Sequence, residues 1–208
     1  MTTSLPTVGT TGLANVVEDS AVMDSGIRPL IDGTPRIAGP AYIAQCGPGD
    51  NLMMHAAIYR AQPGDIIVCH AGDTAAAVAG GNVCAVAQQR GIAGFVIDGN
   101  IRDVEEIREL GLPVYARGLY PKPGTKKALV PAETVTVGEV RVHNGDIVVA
   151  DEDGIVVMPA DQAAEIMAQA ADKEAAEAEA GLAAWTQDHR AKVRAALAAA
   201  GDFEGLPE

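Results

Sequence analysis

The chain has 208 residues, 48% of them hydrophobic and 21% charged, which suits one large globular domain and excludes general disorder. A net charge of −13 supplies no basic stripe for a phosphate backbone, and 3% aromatic content supplies no stacking platform for single-stranded nucleic acid. No run approaches the roughly 20 apolar residues that a membrane-spanning helix needs.

In chain order, LANVVEDSAVMD (13–24) has the spacing of a short helix, and RPLIDGTPRIAG (28–39) is broken by Pro and Gly into a loop. A strand is expected at 41–46, then a turn at 47–50. A helix follows at 51–61, with Asp50 as its N-cap. DIIVCHA (65–71) reads as a buried strand. GDTAAAVAGG follows it, then a helix at 83–91, a strand at 93–99, a helix at 102–111 and a strand at 113–118. A loop rich in Pro, Gly and Lys occupies 120–125. The stretch 133–159 alternates like paired antiparallel strands, with VGE, HNGD and DEDG as its turn signals, NG and DG being hairpin cues. From Asp161 to Ala200 the chain is rich in Ala, Glu and Gln and reads as one long helix with a break at Gly181. The pattern predicts an α/β domain with mixed strand directions over 1–160, and a helical arm over 161–208. An Ala-rich arm with a weak apolar stripe calls for a partner surface, here a neighbouring subunit.

One stretch concentrates chemistry. FVIDG ends a strand at Asp98 and Gly99, where α/β proteins tend to bind ligands, and Arg102 and Asp103 follow at the start of a helix. The helix dipole favours Asp103 there and disfavours Arg102, so Arg102 needs another reason for its place. Gly80 and Gly81 precede a second helix, whose first N–H groups can hold an anion. If the two segments converge, a backbone nest takes a carboxylate, Arg102 an anionic oxygen and Asp103 a divalent metal. Glu106, one turn on, steadies Arg102 or a metal-bound water. Such a set suits a 2-oxo acid, whose enolate a hard metal stabilises. An ordinary helix-capping pair is the alternative.

The spacing Gly81-x20-Arg102-Asp103-x2-Glu106 resembles the G-x20-R-D-x2-E/D motif of the class II 4-hydroxy-4-methyl-2-oxoglutarate/4-carboxy-4-hydroxy-2-oxoadipate aldolases. That family is related to the regulator of ribonuclease activity A (RraA). The resemblance extends over about residues 13–175 and includes PGDNLMMHAAI (48–58), RGIAGFVIDGNIRD (90–103) and NGDIVVADEDGIVVMP (144–159). It implies a swivelling β/β/α domain with a mixed sheet, assembled as a homotrimer or homohexamer with sites between subunits. It implies Mg²⁺ or Mn²⁺ held by Asp103. Arg102 would lie on the substrate's oxygens, and the backbone of Gly80, Gly81, Asn82 and Val83 on the pyruvate carboxylate. The implied reaction is a retro-aldol cleavage releasing pyruvate, of the kind used in aromatic degradation, with oxaloacetate decarboxylation through the same enolate. A protein-binding regulator of ribonuclease E, or an enzyme for another enolisable oxo acid, are the alternatives that the resemblance brings. In some members an arm glutamate reaches the neighbouring site. Glu174 is the match here, with Glu177 second. The tail AAWTQDHRAKVRAALAAAGDFEGLPE departs from the family's usual ending, which puts the natural substrate in doubt.

Other candidates weigh less. His55 reads as a structural helix residue, with a lesser claim to lie near substrate. Asp98 is a turn residue or a partner of Arg102. Cys84 is packing, and Lys122, Lys126 and Lys127 are too exposed for a Schiff base. Three scattered cysteines, Cys46, Cys69 and Cys84, without a CxxC, suit a reducing cytoplasm. The first twelve residues lack the basic and apolar regions of a signal peptide.

Overall fold

Two apolar runs, IIVCH and GFVIDGNI, form the centre of the sheet, because nearly every side chain on them is buried on one face or the other. The computed structural model describes residues 8–201. Its helices are α1 (Thr10–Ala14), α2 (Leu52–Arg60), α3 (Gly81–Gln89), α4 (Val104–Leu110) and α5 (Ala163–Ala199). Its strands are β1 (Arg28–Pro29), β2 (Ile37–Gln45), β3 (Ile66–His70), β4 (Ala77–Ala79), β5 (Gly94–Ile101), β6 (Val114–Leu119), β7 (Thr134–Val137), β8 (Val140–His143), β9 (Ile147–Ala150) and β10 (Ile155–Met158).

The main sheet runs β1-β6-β5-β3-β2-β9-β10, with β4 alongside β5. Strands β2, β3, β5 and β6 are parallel, while β1, β9 and β10 run antiparallel to their neighbours. Parallel neighbours require crossover connections, and α2, α3 and α4 supply them. Period-2 alternation then sorts the side chains. Ile67, Cys69, Phe95 and Ile97 meet Met54, Ile58, Cys84 and Ile107 of the helical layer. Ile66, Val68, Val96 and Tyr115 face the other way, onto Val135, Val137, Val140 and Val142 of the β7–β8 hairpin. The result is the β/β/α layering that the resemblance implied. A third cluster packs Leu13 of α1 and Ala163 and Ala170 of α5 onto Val149, Val156 and Met158.

Several expected elements change. The helix expected at 13–24 is α1 followed by a 3₁₀ turn at Asp19–Ala21, because Val22 and Met23 instead bond to β10 in extended form. The loop expected at 28–39 contains β1 and the start of β2. There Gly39 lets the chain approach the Gly64 carbonyl so closely that a Cβ would collide with it. The Ala77–Ala79 strand within GDTAAAVAGG was not expected, since three small residues carry no pattern of their own and the pairing comes from β5. The strands of 133–159 form hairpins at VGE and DEDG, but HNGD joins β8 to β9, which pair with different strands; the β7–β8 turn places Gly138 and Glu139 at φ 53° and 68°, as a two-residue hairpin turn requires. Gly181 breaks α5 with φ 73° and ψ 170°. Among the described residues no helix is long and apolar enough to cross a membrane.

Phe95 is fully buried where the helical layer meets β5. Phe95→Ala is expected to cost about 3–5 kcal/mol. Urea unfolding checks this: the midpoint falls while the slope stays that of the parent chain.

Candidate active site

The site is assembled where two chain segments meet. β4 pairs with the end of β5, and Arg102 N donates to the Ala79 carbonyl at 3.1 Å. This ladder brings Gly80, at the N-cap of α3, beside Arg102 and Asp103. The approach is closer than a side chain would permit. A Cβ on Gly80 would strike the Asp103 carboxylate and lie 3.0 Å from Arg102 Cγ, and a Cβ on Gly81 would fall on the Glu106 carboxylate. Gly81, Arg102, Asp103 and Glu106 are therefore one cluster in space.

Asp103 is not in the first helical turn, as the sequence suggested. It is the N-cap of α4, held in the left-handed region at φ 60°, and its side chain makes no bond to its own helix. It faces α3 instead: Oδ2 accepts from Gly81 N at 3.2 Å and lies 3.3 Å from Arg102 Nε. Arg102 lies one residue ahead of that cap, still at the positive end of α4, and the Asp103 carboxylate beside it offsets its charge there. A non-glycine residue in the left-handed region costs about 1–2 kcal/mol, and Asp is among the side chains that adopt it most readily.

A cleft of about 160 Å³ opens on this cluster, lined by Gly80, Asn82, Val83, Arg102 and Asp103 on one side. Its size, below the roughly 300–1,000 Å³ of drug-sized sites, suits a short acid. Larger grooves elsewhere, of about 470 and 650 Å³, contain none of these residues. The opposite wall was not legible in the sequence. It comprises Asn51, His55, Pro123 and Lys126. Asn51 is only 3% exposed, yet its Oδ1 has no hydrogen-bond partner. A buried orphan acceptor beside a cleft is a group waiting for a ligand's donor or a water. Burial, with Lys126 nearby, holds the His55 pKa below its usual value, so its imidazole is neutral at pH 7. This places on the cleft wall a histidine read chiefly as structural.

Asp50 builds that wall. It lies one residue before the N-cap of α2, which is Asn51, and not at the cap itself. Its carboxylate accepts from Leu52 N at 2.8 Å, Thr125 Oγ1 at 2.9 Å, Lys127 N at 2.7 Å and Ala128 N at 3.3 Å. Burial opposes its ionised form, but these four donors outweigh burial and keep its pKa below the usual carboxylate value. The loop carrying Lys126 is thereby folded back beside α2.

One expected partner lies elsewhere. Asp98 does not pair with Arg102. Its Oδ1 accepts from Arg117 Nε at 2.5 Å and its Oδ2 from Gly138 N at 2.9 Å, while Arg117 also reaches Asp24 at 2.6 Å. Asp98 points to the hairpin side of the sheet because β5 alternates there. Glu174 packs against Gly12 of its own chain's α1, and Glu177 is exposed further along α5; neither lines the cleft of this chain. Cys84 is buried, and burial with Asp103 nearby pushes its thiol up to about 12, so it is no nucleophile. Cys46 and Cys69, far apart in sequence, place their sulfurs 3.9 Å apart, and both are free and buried.

Among the described residues no three His, Cys, Asp or Glu side chains gather as a metal cage. The site instead offers Asp103, 33% exposed and with no hydrogen-bond partner on Oδ1 among the described residues, beside Glu106. Few carboxylates and open positions suit Mg²⁺ or Mn²⁺, which keep most of their waters.

The profile of the RraA-like family (Aldolase/RraA) matches residues 10–157. A protein of Halalkalibacterium halodurans named "Putative 4-hydroxy-4-methyl-2-oxoglutarate aldolase" is 36% identical over 178 residues, 83% of each chain. One of the same name from Burkholderia multivorans is 33% identical over 159 residues, covering 73% of this chain and 96% of its own. The crystal structure of Streptomyces coelicolor RraAS2, described as an unusual member of the RNase ES inhibitor RraA family, superposes with a TM-score of 0.71. It is 32% identical and covers 82% of this chain and 90% of its own.

The Asp98 network has a pH signature. Burial opposes the Asp98 carboxylate, but Arg117 and Gly138 N outweigh it and depress its pKa. A depressed carboxylate adds stability above its unfolded value of about 3.9, and loses it as pH falls through the folded value. Asp98→Asn is expected to lower the melting temperature at pH 7, with the gap from the parent closing below about pH 4. Thermal melts across pH 3–7 check it.

Proposed function

We propose, from the premise that the chain belongs to the RraA-like family, that it is a divalent-metal-dependent lyase. Its substrate would be a 4-hydroxy-2-oxo acid of the 4-hydroxy-4-methyl-2-oxoglutarate or 4-carboxy-4-hydroxy-2-oxoadipate type. The observation that carries this reading is the convergence of the Gly80–Gly81 turn with Arg102, Asp103 and Glu106, of which Gly80, Arg102 and Asp103 line one small cleft.

The roles follow from chemistry. The N–H groups at the start of α3 receive the substrate's C1 carboxylate, and the absence of side chains at 80 and 81 allows it close. Arg102 holds the C2 oxygen, on which negative charge grows as the C3–C4 bond breaks. Asp103 would hold Mg²⁺ or Mn²⁺, with Glu106 steadying Arg102 or a metal-bound water, and the ion would supply Lewis-acid stabilisation of that oxygen. Across the cleft, Lys126 faces the anionic end beyond C4, and Asn51 Oδ1 is an acceptor for a bound water. Neutral His55 is the cleft's own acceptor for the 4-hydroxyl proton. The bonding pair passes to the C2 oxygen, C4 becomes a carbonyl, and protonation at C3 yields pyruvate. Oxaloacetate loses CO₂ through the same enolate. A homotrimer or homohexamer in the cytoplasm completes the reading.

Pyruvate release, coupled to lactate dehydrogenase, tests it. Release from oxaloacetate and 4-hydroxy-4-methyl-2-oxoglutarate should require Mg²⁺ and stop with EDTA. Asp103→Ala should abolish metal-dependent turnover. Arg102→Ala should lower kcat by about 100- to 1,000-fold with little change in melting temperature. Turnover that ignores EDTA, or survives Asp103→Ala, would overturn the reading. The likeness to RraAS2 supports a second one, a ribonuclease-binding regulator. Ribonuclease inhibition that persists in Arg102→Ala would favour it.

A further inference from the structure

The start of α2 rests on a sulfur atom. A helix leaves its first N–H groups without partners of its own, and an N-cap side chain commonly takes one of them. Asn51, the N-cap of α2, makes no such bond. Asp50 Oδ1 accepts from Leu52 N, and the N–H groups of Met54 and Met53 are directed at the Cys46 sulfur. Cys46 stands directly after β2, its own N–H bonded to the His70 carbonyl at 2.8 Å, so it links the sheet to the helix.

A second thiol lies beside it. Cys69, on β3, places its sulfur 3.9 Å from that of Cys46. The Cys69 thiol donates to Cys46 and, with the two helix N–H groups, holds the Cys46 thiol below its usual pKa against the cost of burial. This is the setting of a nucleophilic sulfur with a resolving thiol next to it. Cys84, by contrast, is pushed up to about 12 by burial, with Asp103 adding to the effect.

We propose that Cys46 and Cys69 form a reversible disulfide with a peroxide as oxidant, and that the bond loosens the wall of the cleft carried by α2. The Cys46 sulfur, as thiolate, attacks one peroxide oxygen. The O–O bond breaks, the departing hydroxide takes up a proton as water, and a sulfenic acid remains on Cys46. Cys69 gives up its proton, its sulfur displaces hydroxide from Cys46, and that hydroxide leaves as a second water. Two thiols are oxidised and one peroxide is reduced to two waters. Both sulfurs are buried, so the oxidant is a small one, admitted when the start of α2 opens. The sulfurs must close from 3.9 Å to about 2.05 Å, which draws Cys46 away from the Met53 and Met54 N–H groups. The end of α2 that loses this cap carries Asn51 and, one turn on, His55, both on the cleft. Only the consequence for turnover rests on the lyase reading.

Treatment of the reduced chain with hydrogen peroxide tests this. The intact mass should fall by two hydrogen atoms, and a non-reducing peptide map should join the peptides of Cys46 and Cys69. The amides of Met53 and Met54 should exchange with deuterium about 2- to 30-fold faster, the effect of a lost cap. Mg²⁺-dependent pyruvate release should fall about 10- to 100-fold, as a displaced His55 would cause. Dithiothreitol should reverse all three changes. Cys46→Ser, whose hydroxyl can itself cap a helix, and Cys69→Ser should each keep basal release and lose the response, and either serves where the other fails to fold. Cys84→Ser should respond as the parent does. Cys46 and Cys69 left unjoined by peroxide would overturn the proposal. So would a disulfide that leaves the exchange of Met53 and Met54, or the release of an active chain, unchanged. A reduced chain that releases no pyruvate would sink the lyase reading alone, because mass and exchange decide the switch without substrate.

Discussion

The site depends on one close approach: the backbone at Gly80 and Gly81 lies against the carboxylates of Asp103 and Glu106. Neither segment makes a site alone. The β4–β5 pairing sets their separation, and the missing Cβ atoms let them close to the distance at which Gly81 N–H can reach Asp103. The left-handed turn at Asp103 then aims its carboxylate across at α3 rather than along its own helix. A costly backbone conformation is retained because the surrounding ladder leaves the turn nowhere else to go.

The second wall is held by the same kind of economy. One buried carboxylate, Asp50, gathers four donors from α2 and from the loop at 125–128. The loop also bonds through Asn51 N to the Thr125 carbonyl and through Gly124 N to the Ala77 carbonyl. Backbone groups of a polar loop are thus paired against the domain, and the loop brings Lys126 to the cleft without a secondary-structure element of its own. The anionic end of a bound acid would meet that lysine on a chain that otherwise repels anions, which confines attraction to the cleft.

Charge is divided along α5 as well. Its first half carries most of the arm's acids and packs by Ile166, Met167 and Ala170 on the α1 side, while Arg190, Lys192 and Arg194 lie beyond Gly181. Gly181 separates the two, since its conformation suits glycine and interrupts the helical hydrogen bonding that would otherwise fix one direction.

Sequence alone determined the alternation of strands and helices, the buried centre of the sheet, the break at Gly181 and the grouping of Gly80, Gly81, Arg102, Asp103 and Glu106. These rest on local periodicity, turn chemistry and a fixed spacing, which a linear chain displays directly. Tertiary structure decided what no spacing encodes. It turned Asp98 to Arg117 by the alternation of β5, paired Ala77, Val78 and Ala79 as β4 because β5 extends past β3, and set Asn51, His55 and Lys126 across from Asp103. Those placements follow from long-range hydrogen bonds at Asp50 and from which face of each strand met which layer. Both are settled only when distant segments pack.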